Sequence, residues 1–454
     1  EKVRLEHTHI YYTPFLARPG PCPPRSLAPG SIMRGAGILL AAAALQAPGV
    51  ALHVDVVDRR SLARHLEAVR SFSFDHFVEK FNRSYVAGTE EWAHRLAIFT
   101  KEKEAVVSFL SGPRQSWLMG ITMFADYTAS ERWSMLGRRG SPKNRTASGA
   151  SANWREWTYP QEHNALHTNS PWKLGNIVRS QGGCGSCWAM AATHVLEARM
   201  EANASIMKSL REVLVSGGKT NADSRLSSAA VTYCTKNPRN CGGQGGCAGA
   251  TTELAFDMVK ERGIPLEAHW NDAPSNLNHA PSSRDSKPGY YETSCKESAM
   301  RRTLVGITNY EVLPQNKLHP LLQALYESGG PIGASVDATT WFGYHGGIMS
   351  DRGVGIKGRF VINHAVALTG YKMPTGTERG YWRIKNSWGP RWGEDGFIRM
   401  ELKKNEEEHC GWDRNTHVGL ACDGDPNEAW ICGTFGILYD SVYPTGIHLR
   451  EYPR

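Results

Sequence analysis

From Phe72 to Leu110, apolar residues recur at helical spacing (Phe74, Phe77, Phe81, then Leu96, Phe99, Val106, Phe109) with charged residues between them. The pattern predicts two amphipathic helices joined near Gly88. A stretch rich in Gly, Ser, Lys and Arg follows at residues 138–153 and reads as an exposed linker open to cleavage. Beyond it, Cys187 to Met200 reads as a helix. So does Thr252 to Arg262, stopped by Gly263 with Pro265 just after, and Leu318 to Ser328 is a further candidate. The later half turns to short strand-like runs: Ile332 to Val336, Val361 to Tyr371, Tyr381 to Lys385 and Gly396 to Glu401. Helices first and strands later predict an α+β chain of two lobes with a cleft between them.

At 454 residues the chain is too long for one ordinary domain, and 41% apolar residues are enough for a real core. The formal charge of +8 comes from scattered Lys and Arg, so it argues for a generic basic surface and against a nucleic-acid partner. Residues 33–51 begin Met33-Arg34-Gly35, continue as an apolar run from Ala36 to Leu45 and end Gly49-Val50-Ala51. They read as a signal peptide cut after Ala51, too short for a comfortable membrane span, so no membrane anchor is expected after its removal. Pro-rich residues 1–32 precede a candidate initiator, Met33, and whether they are translated is left open. Sequons at Asn82, Asn144 and Asn203 are candidate glycosylation sites on the same route. The expected location is the secretory pathway, in a lysosome-like acidic vesicle or outside the cell.

The chemistry concentrates where the loop Gln181-Gly182-Gly183-Cys184-Gly185-Ser186 runs into a helix whose first residue is Cys187. Unpaired N–H groups and the helix dipole favour negative charge there, so the cysteine is poised to be a thiolate. Asn363-His364-Ala365-Val366 puts a histidine in an otherwise apolar strand, where it needs a polar mate. Lys385-Asn386-Ser387-Trp388-Gly389 offers Asn386 to hold the imidazole and Trp388 to keep water off that hydrogen bond. Thioredoxin-like redox chemistry or a zinc site fits Cys184 and Cys187 poorly. No βα unit leads into them, and Cys241 and Cys247 are spaced too widely for a second metal pair. No metal and no cofactor is expected. Setting aside Cys22 and the nucleophile, eight of the ten cysteines remain, enough for four bridges in an oxidising compartment.

The segments CGSCW, NHAV and NSWG, in that order, resemble the papain family of cathepsin-like cysteine proteases over roughly residues 154–444. The resemblance implies a two-lobed fold, a helical lobe and a β-barrel-like lobe. It also implies a Cys187–His364 thiolate–imidazolium pair, Asn386 as orienting residue, and Gln181 with the Cys187 N–H as oxyanion donors. It pairs Cys184 with Cys247 and Cys234 with Cys295. Cys241, Cys410, Cys422 and Cys432 stay open to three pairings, because the family's usual cysteine between Cys295 and His364 is missing. Gly249, Ala250, Asn363, Trp388 and Ile437 are the implied substrate-binding positions. Ala250 stands where the family has a glycine that pairs with substrate two residues before the scissile bond, so its methyl is expected to narrow the site. A rival alignment through Cys410 would put Asn415, not Ile437, on the pocket floor. Segments near 158–176 and 403–430 look inserted.

The N-terminal block resembles the inhibitory prosegment of the cathepsin L-like branch through Glu91, Arg95, Ile98, Phe99 and Val106, then Gly120, Phe124 and Asp126. Glu102 and Leu110 depart from it, standing where asparagines are usual. The resemblance implies a zymogen with a prosegment at 52–137 that runs backwards through the cleft, activation cleavage at 138–153 and a peptidase domain at 154–454. Its partners would be protein and peptide substrates and its own prosegment, and its activity that of an endopeptidase. Two alternatives stand beside this: a non-catalytic papain-fold scaffold, and an aminodipeptidase, for which no amine-capturing segment is evident.

Overall fold

The computed structural model describes residues 58–113, 115–137, 159–167, 169–216, 218, 224–272, 294–351, 359–419 and 421–450. The expected signal peptide, the linker 138–153 and Asn144 lie outside these residues; Asn82 and Asn203 are both exposed.

The N-terminal block consists of α1 (Arg59–Ser71), α2 (Phe74–Lys80), α3 (Glu90–Ser111), strand β1 (Trp117–Met119) and α4 (Ala129–Ser134). Asp58, Ser73 and Thr89 accept the first free N–H groups of α1, α2 and α3, which is why each helix starts where it does. The break expected near Gly88 is the connection at residues 81–89 between α2 and α3, where Gly88 has a φ of 84° and Asn82 takes a left-handed φ of 50° that asparagine tolerates. Phe74, Phe77, Phe81 and Phe99 then close on Ala125 as one buried cluster. Beside it Asp126 is fully buried, accepting from Arg83 at 2.8 Å and from the Tyr85 hydroxyl at 2.9 Å. Arg95 donates to the Asp126 carbonyl at 2.9 Å and grips both oxygens of Glu131 at 2.6 Å.

After the short β2 (Glu162–Asn164), the helical lobe is built on α5 (Cys187–Glu201), α6 (Ala204–Ser216), α7 (Ser228–Cys234) and α8 (Thr252–Arg262). Every residue of α5 except Met190 is buried, the signature of a central helix with no solvent face. The bounds of α8 are those read from sequence, set by the Thr251 hydroxyl capping the Leu254 N–H and by Gly263 at φ 76°.

The second lobe is a sheet. Strands β3 (Ile264–Pro265) and β4 (Thr303–Gly306) form a small ladder apart from it. Into the main sheet go β5 (Asn309–Val312), β6 (Ile332–Val336), β7 (Tyr344–Met349), β8 (His364–Lys372), β9 (Gly380–Lys385), β10 (Phe397–Leu402) and, after the hairpin β11 (Cys410–Asp413) and β12 (Ala429–Cys432), β13 (Ser441–Thr445). The order is β1-β7-β10-β9-β8-β6-β13-β5, with β2 beside β8; only β7 and β10 run parallel. An N-terminal strand, β1, therefore supplies the edge, pairing Trp117 with Gly347 and Met119 with Tyr344. Strand β8 starts at His364 rather than Val361, because the N–H groups of Val361 and Ile362 go to the buried carboxylates of Asp337 and Asp413, at 3.0 Å each.

Both expected bridges are present, Cys184–Cys247 and Cys234–Cys295, and the open set resolves as Cys241–Cys422 and Cys410–Cys432. In the segment 403–430, which sequence suggests is inserted, residues from Cys410 on belong to the β11–β12 hairpin and its connecting loop. Residues 158–176 supply β2 and the Gly175 carbonyl, which accepts from the buried Lys385 ammonium at 3.0 Å. Among the described residues no helix is long and apolar enough to cross a membrane, and no group of His, Cys, Asp and Glu is arranged to hold a metal ion.

Candidate active site

Cys187 is the first residue of α5, and among the described residues it is the one cysteine outside a disulfide. The preceding bridge, Cys184–Cys247, pins the Gly-rich loop that aims it, and the helix N-terminus favours a negative sulfur. From the opposite lobe the Ala365 N–H donates to Cys187 Sγ at 3.4 Å, which places the start of β8, the strand that opens with His364, beside the thiol.

His364 is fully buried, with Nε2 at 2.7 Å from Asn386 Oδ1. That oxygen also accepts the Ser387 N–H at 2.8 Å, which fixes the oxygen end of the amide toward the ring. The imidazole therefore carries its hydrogen on Nε2, and Nδ1, buried and without a hydrogen bond, is left to take a proton. Trp388 covers this pair, its ring 5.0 Å from His364 and stacked at 4.6 Å on Phe342. Burial pushes the imidazole down to about 4, only partly offset by the Asn386 hydrogen bond.

Gln181 is buried, and its Nε2 donates to the Met135 carbonyl at 2.7 Å and to the Cys184 carbonyl at 2.9 Å. Ser387 holds the other end, donating from its hydroxyl to Gln181 Oε1 at 2.6 Å. The donor expected to meet a developing oxyanion is thus occupied by a carbonyl of the N-terminal block. Leu136 is buried beside it, and Gly137 lies so close to Gly185 that an added Cβ would fall 1.8 Å from the Gly185 carbonyl oxygen. Phe124 of the same block meets Trp388 edge-on at 5.3 Å. Sequence reading missed Ser387, Ala365 and the segment Met135 to Gly137. Ser387 lies inside NSWG, next to a residue that was identified, whereas the others act through backbone atoms that carry no residue signature.

The implied substrate-binding positions divide. Gly249 borders the block, an added Cβ falling 2.4 Å from the Gly137 carbonyl oxygen and 2.3 Å from that of Gly242. Ala250 is fully buried in this closed form, in the apolar cluster of the helical lobe that also holds Cys187. The Asn363 side chain is committed to the loop after β6, accepting from the Ala338 N–H at 3.0 Å and donating to the Thr339 hydroxyl at 2.9 Å. Ile437 is buried in the sheet-lobe core with Phe435 and Leu438, while Asn415 is exposed.

The low value of His364 has a directional consequence. A buried base held near 4 stays neutral where a solvated imidazole near 6.5 is protonated, so between those values the closed form binds fewer protons than a form with His364 wetted. Its stability is full above about pH 6.5 and is lost as pH falls toward 4. In a Cys187→Ser chain nicked in the linker, retention of the N-terminal block should weaken by at most about tenfold per pH unit across that window. Fluorescence-monitored release checks this, and retention unchanged from pH 7 to 4 would contradict it.

A thiol at a helix N-terminus, an imidazole fixed in one tautomer by an amide, and a side-chain amide donor beside them define a nucleophilic hydrolase of the thiol class. Residues 169–420 match the Papain family cysteine protease model and residues 74–131 the Cathepsin propeptide inhibitor domain (I29) model. The chain belongs to the papain family of cysteine proteases. Cathepsin J of Rattus norvegicus is 31% identical over 239 residues, 52% of this chain and 58% of that protein's own length. The Senescence-specific cysteine protease SAG39 of Oryza sativa subsp. indica is 28% identical over 76% of this chain and 88% of its own. In fold, the chain is similar to a recombinant stem bromelain precursor (TM-score 0.54, 23% identity, 82% of this chain and 97% of that one). It is equally similar to digestive procathepsin L 3 of Tenebrio molitor larval midgut (TM-score 0.54, 20% identity, 82% and 97%). The family match stops at residue 420, yet β13 continues the same sheet beyond it.

Proposed function

We propose that this chain is the zymogen of a cysteine peptidase in which Cys187 attacks the peptide carbonyl and His364 first takes and then returns the proton. Asn386 orients the base, and Gln181 with the Cys187 N–H receives the oxyanion. The observation that carries this reading is the meeting of the three motif segments across the lobes, with the His364 strand donating to Cys187 Sγ and Asn386 gripping the ring. Residues 58–137 act as the inhibitor, because Met135 takes the oxyanion donor and Gly137 fills the space beside Gly185. Maturation cleaves the linker at 138–153 and yields a peptidase domain at 154–454. A secretory route to an acidic vesicle or the exterior fits the four bridges and the acid-weakened closed form. The endopeptidase mode expected from sequence requires room on both sides of the scissile bond.

The test is alkylation of Cys187 by iodoacetamide as a function of pH, read by peptide mapping. Matured protein should react at mildly acidic pH, where a thiol near 8.5 is almost wholly protonated, and the uncleaved chain should resist. Slow labelling that rises only at alkaline pH in the matured protein, with no peptide hydrolysis, would instead establish a scaffold.

A further inference from the structure

The inserted loop between β11 and β12 is tied to both lobes at one end of the cleft. On the sheet lobe it is closed by Cys410–Cys432, and it holds the segment leading into His364: Asp413 accepts the Ile362 N–H at 3.0 Å and the Trp412 carbonyl accepts the Phe360 N–H at 3.1 Å. On the helical lobe it is bonded covalently through Cys241–Cys422. The Ala421 carbonyl there accepts the Gly242 N–H at 3.3 Å, the Arg239 carbonyl accepts the Asp423 N–H at 2.9 Å, and Asn240 donates to Asp423 at 2.8 Å. Gly242 is also the residue whose carbonyl borders Gly249, on the face that Gly137 occupies.

The N-terminal block serves as a ruler. Its Met135 carbonyl sits on Gln181, and two residues later Gly137 lies against Gly249 and, through it, Gly242, where the insertion is anchored. A substrate that follows the path of residues 135–137 away from Gln181 passes Gly249, and with the reversed direction that the family resemblance implies for the N-terminal block, its residues there are those preceding the scissile bond. At about 3.3–3.6 Å per extended residue, such a chain meets the anchored loop about two to three residues from the oxyanion donor. We infer that the insertion walls off the cleft beyond that point, so that the enzyme removes short pieces from peptide N-termini rather than cutting long chains internally. The wall works by exclusion. Its carboxylates are already engaged, Asp423 by Asn240 and Asp425 by Arg239 at 3.5 Å, so a free α-amine is not what it reads.

This inference rests on the peptidase reading, and its test separates the two. Matured protein is offered synthetic peptides sharing one scissile bond, with one to eight residues before it or one to eight after it, and products are identified by mass. Efficiency should fall about 100-fold or more once the N-terminal side exceeds about three residues, and change little with C-terminal extension. A Cys241→Ser, Cys422→Ser variant, and separately a chain with residues 414–428 replaced by a short turn, should hydrolyse the long N-terminal series at least about tenfold faster with Cys187 labelling unchanged. Equal cleavage of long and short N-terminal series by matured wild-type protein, with Cys187 labelling seen in a separate sample of it, overturns the wall while leaving the peptidase standing. No labelling and no hydrolysis overturns both.

Discussion

Replacing His364 by alanine is expected to lower peptide hydrolysis by the matured chain by about 10⁴-fold or more, the scale seen when the base of a coupled nucleophile is removed. Two losses combine. Nδ1 is the only ring atom left to move the proton, since Nε2 is held by Asn386, and without the imidazolium the sulfur loses the charge that keeps it ionised. Alkylation of Cys187 should therefore shift to higher pH in the same variant. Asn386→Ala should cost less, because that amide orients the base without exchanging protons. Steady-state kinetics with a fluorogenic peptide, beside thermal melting to show that the fold is kept, measures the effect. A loss below tenfold would remove His364 from the mechanism.

Asp126→Ala in the uncleaved chain is expected to destabilise the N-terminal block by about 3–5 kcal/mol, the cost of breaking a buried ion pair from one side. Asp126 is fully buried and paired with Arg83; its loss leaves the Tyr85 hydroxyl without that acceptor and the guanidinium with the Met123 carbonyl but no counter-charge there. Since Phe124 and Met135 reach the cleft from the same packed unit, the inhibitory contacts should loosen with it. Labelling of Cys187 in intact variant should be about 100-fold faster than in the intact parent, and labelling at the parental rate would show that the docked segment holds without this ion pair.

How much of this was legible depended on whether the signal lay in side-chain identity. Helix α8 announced its end through Gly263 with Pro265 just after, and β6 was a short apolar run with its stated bounds. Cys187, His364, Asn386 and Gln181 stood in recognisable segments. Helix α1 went unread because it is dense in charge and fully buries only Val69. The Cys241–Cys422 pairing spans 181 residues, and no spacing rule reaches across that separation. The plug at Gln181 was invisible because a backbone carbonyl does the work.

Strand β1 belongs to the part of the chain that maturation discards, and it pairs with β7 at the rim of the sheet. When it leaves, the outward row of β7 amides and carbonyls loses its partner and is offered to any extended chain nearby. On the proposed maturation, the uncleaved chain folds with this border sealed by its own N-terminal block, and the cleaved one carries it open. Gly346 and Gly347 in β7 weaken it as a template, since glycine stiffens no strand and presents no side chain to grip. The block that occupies Gln181 thus also caps an edge of the sheet.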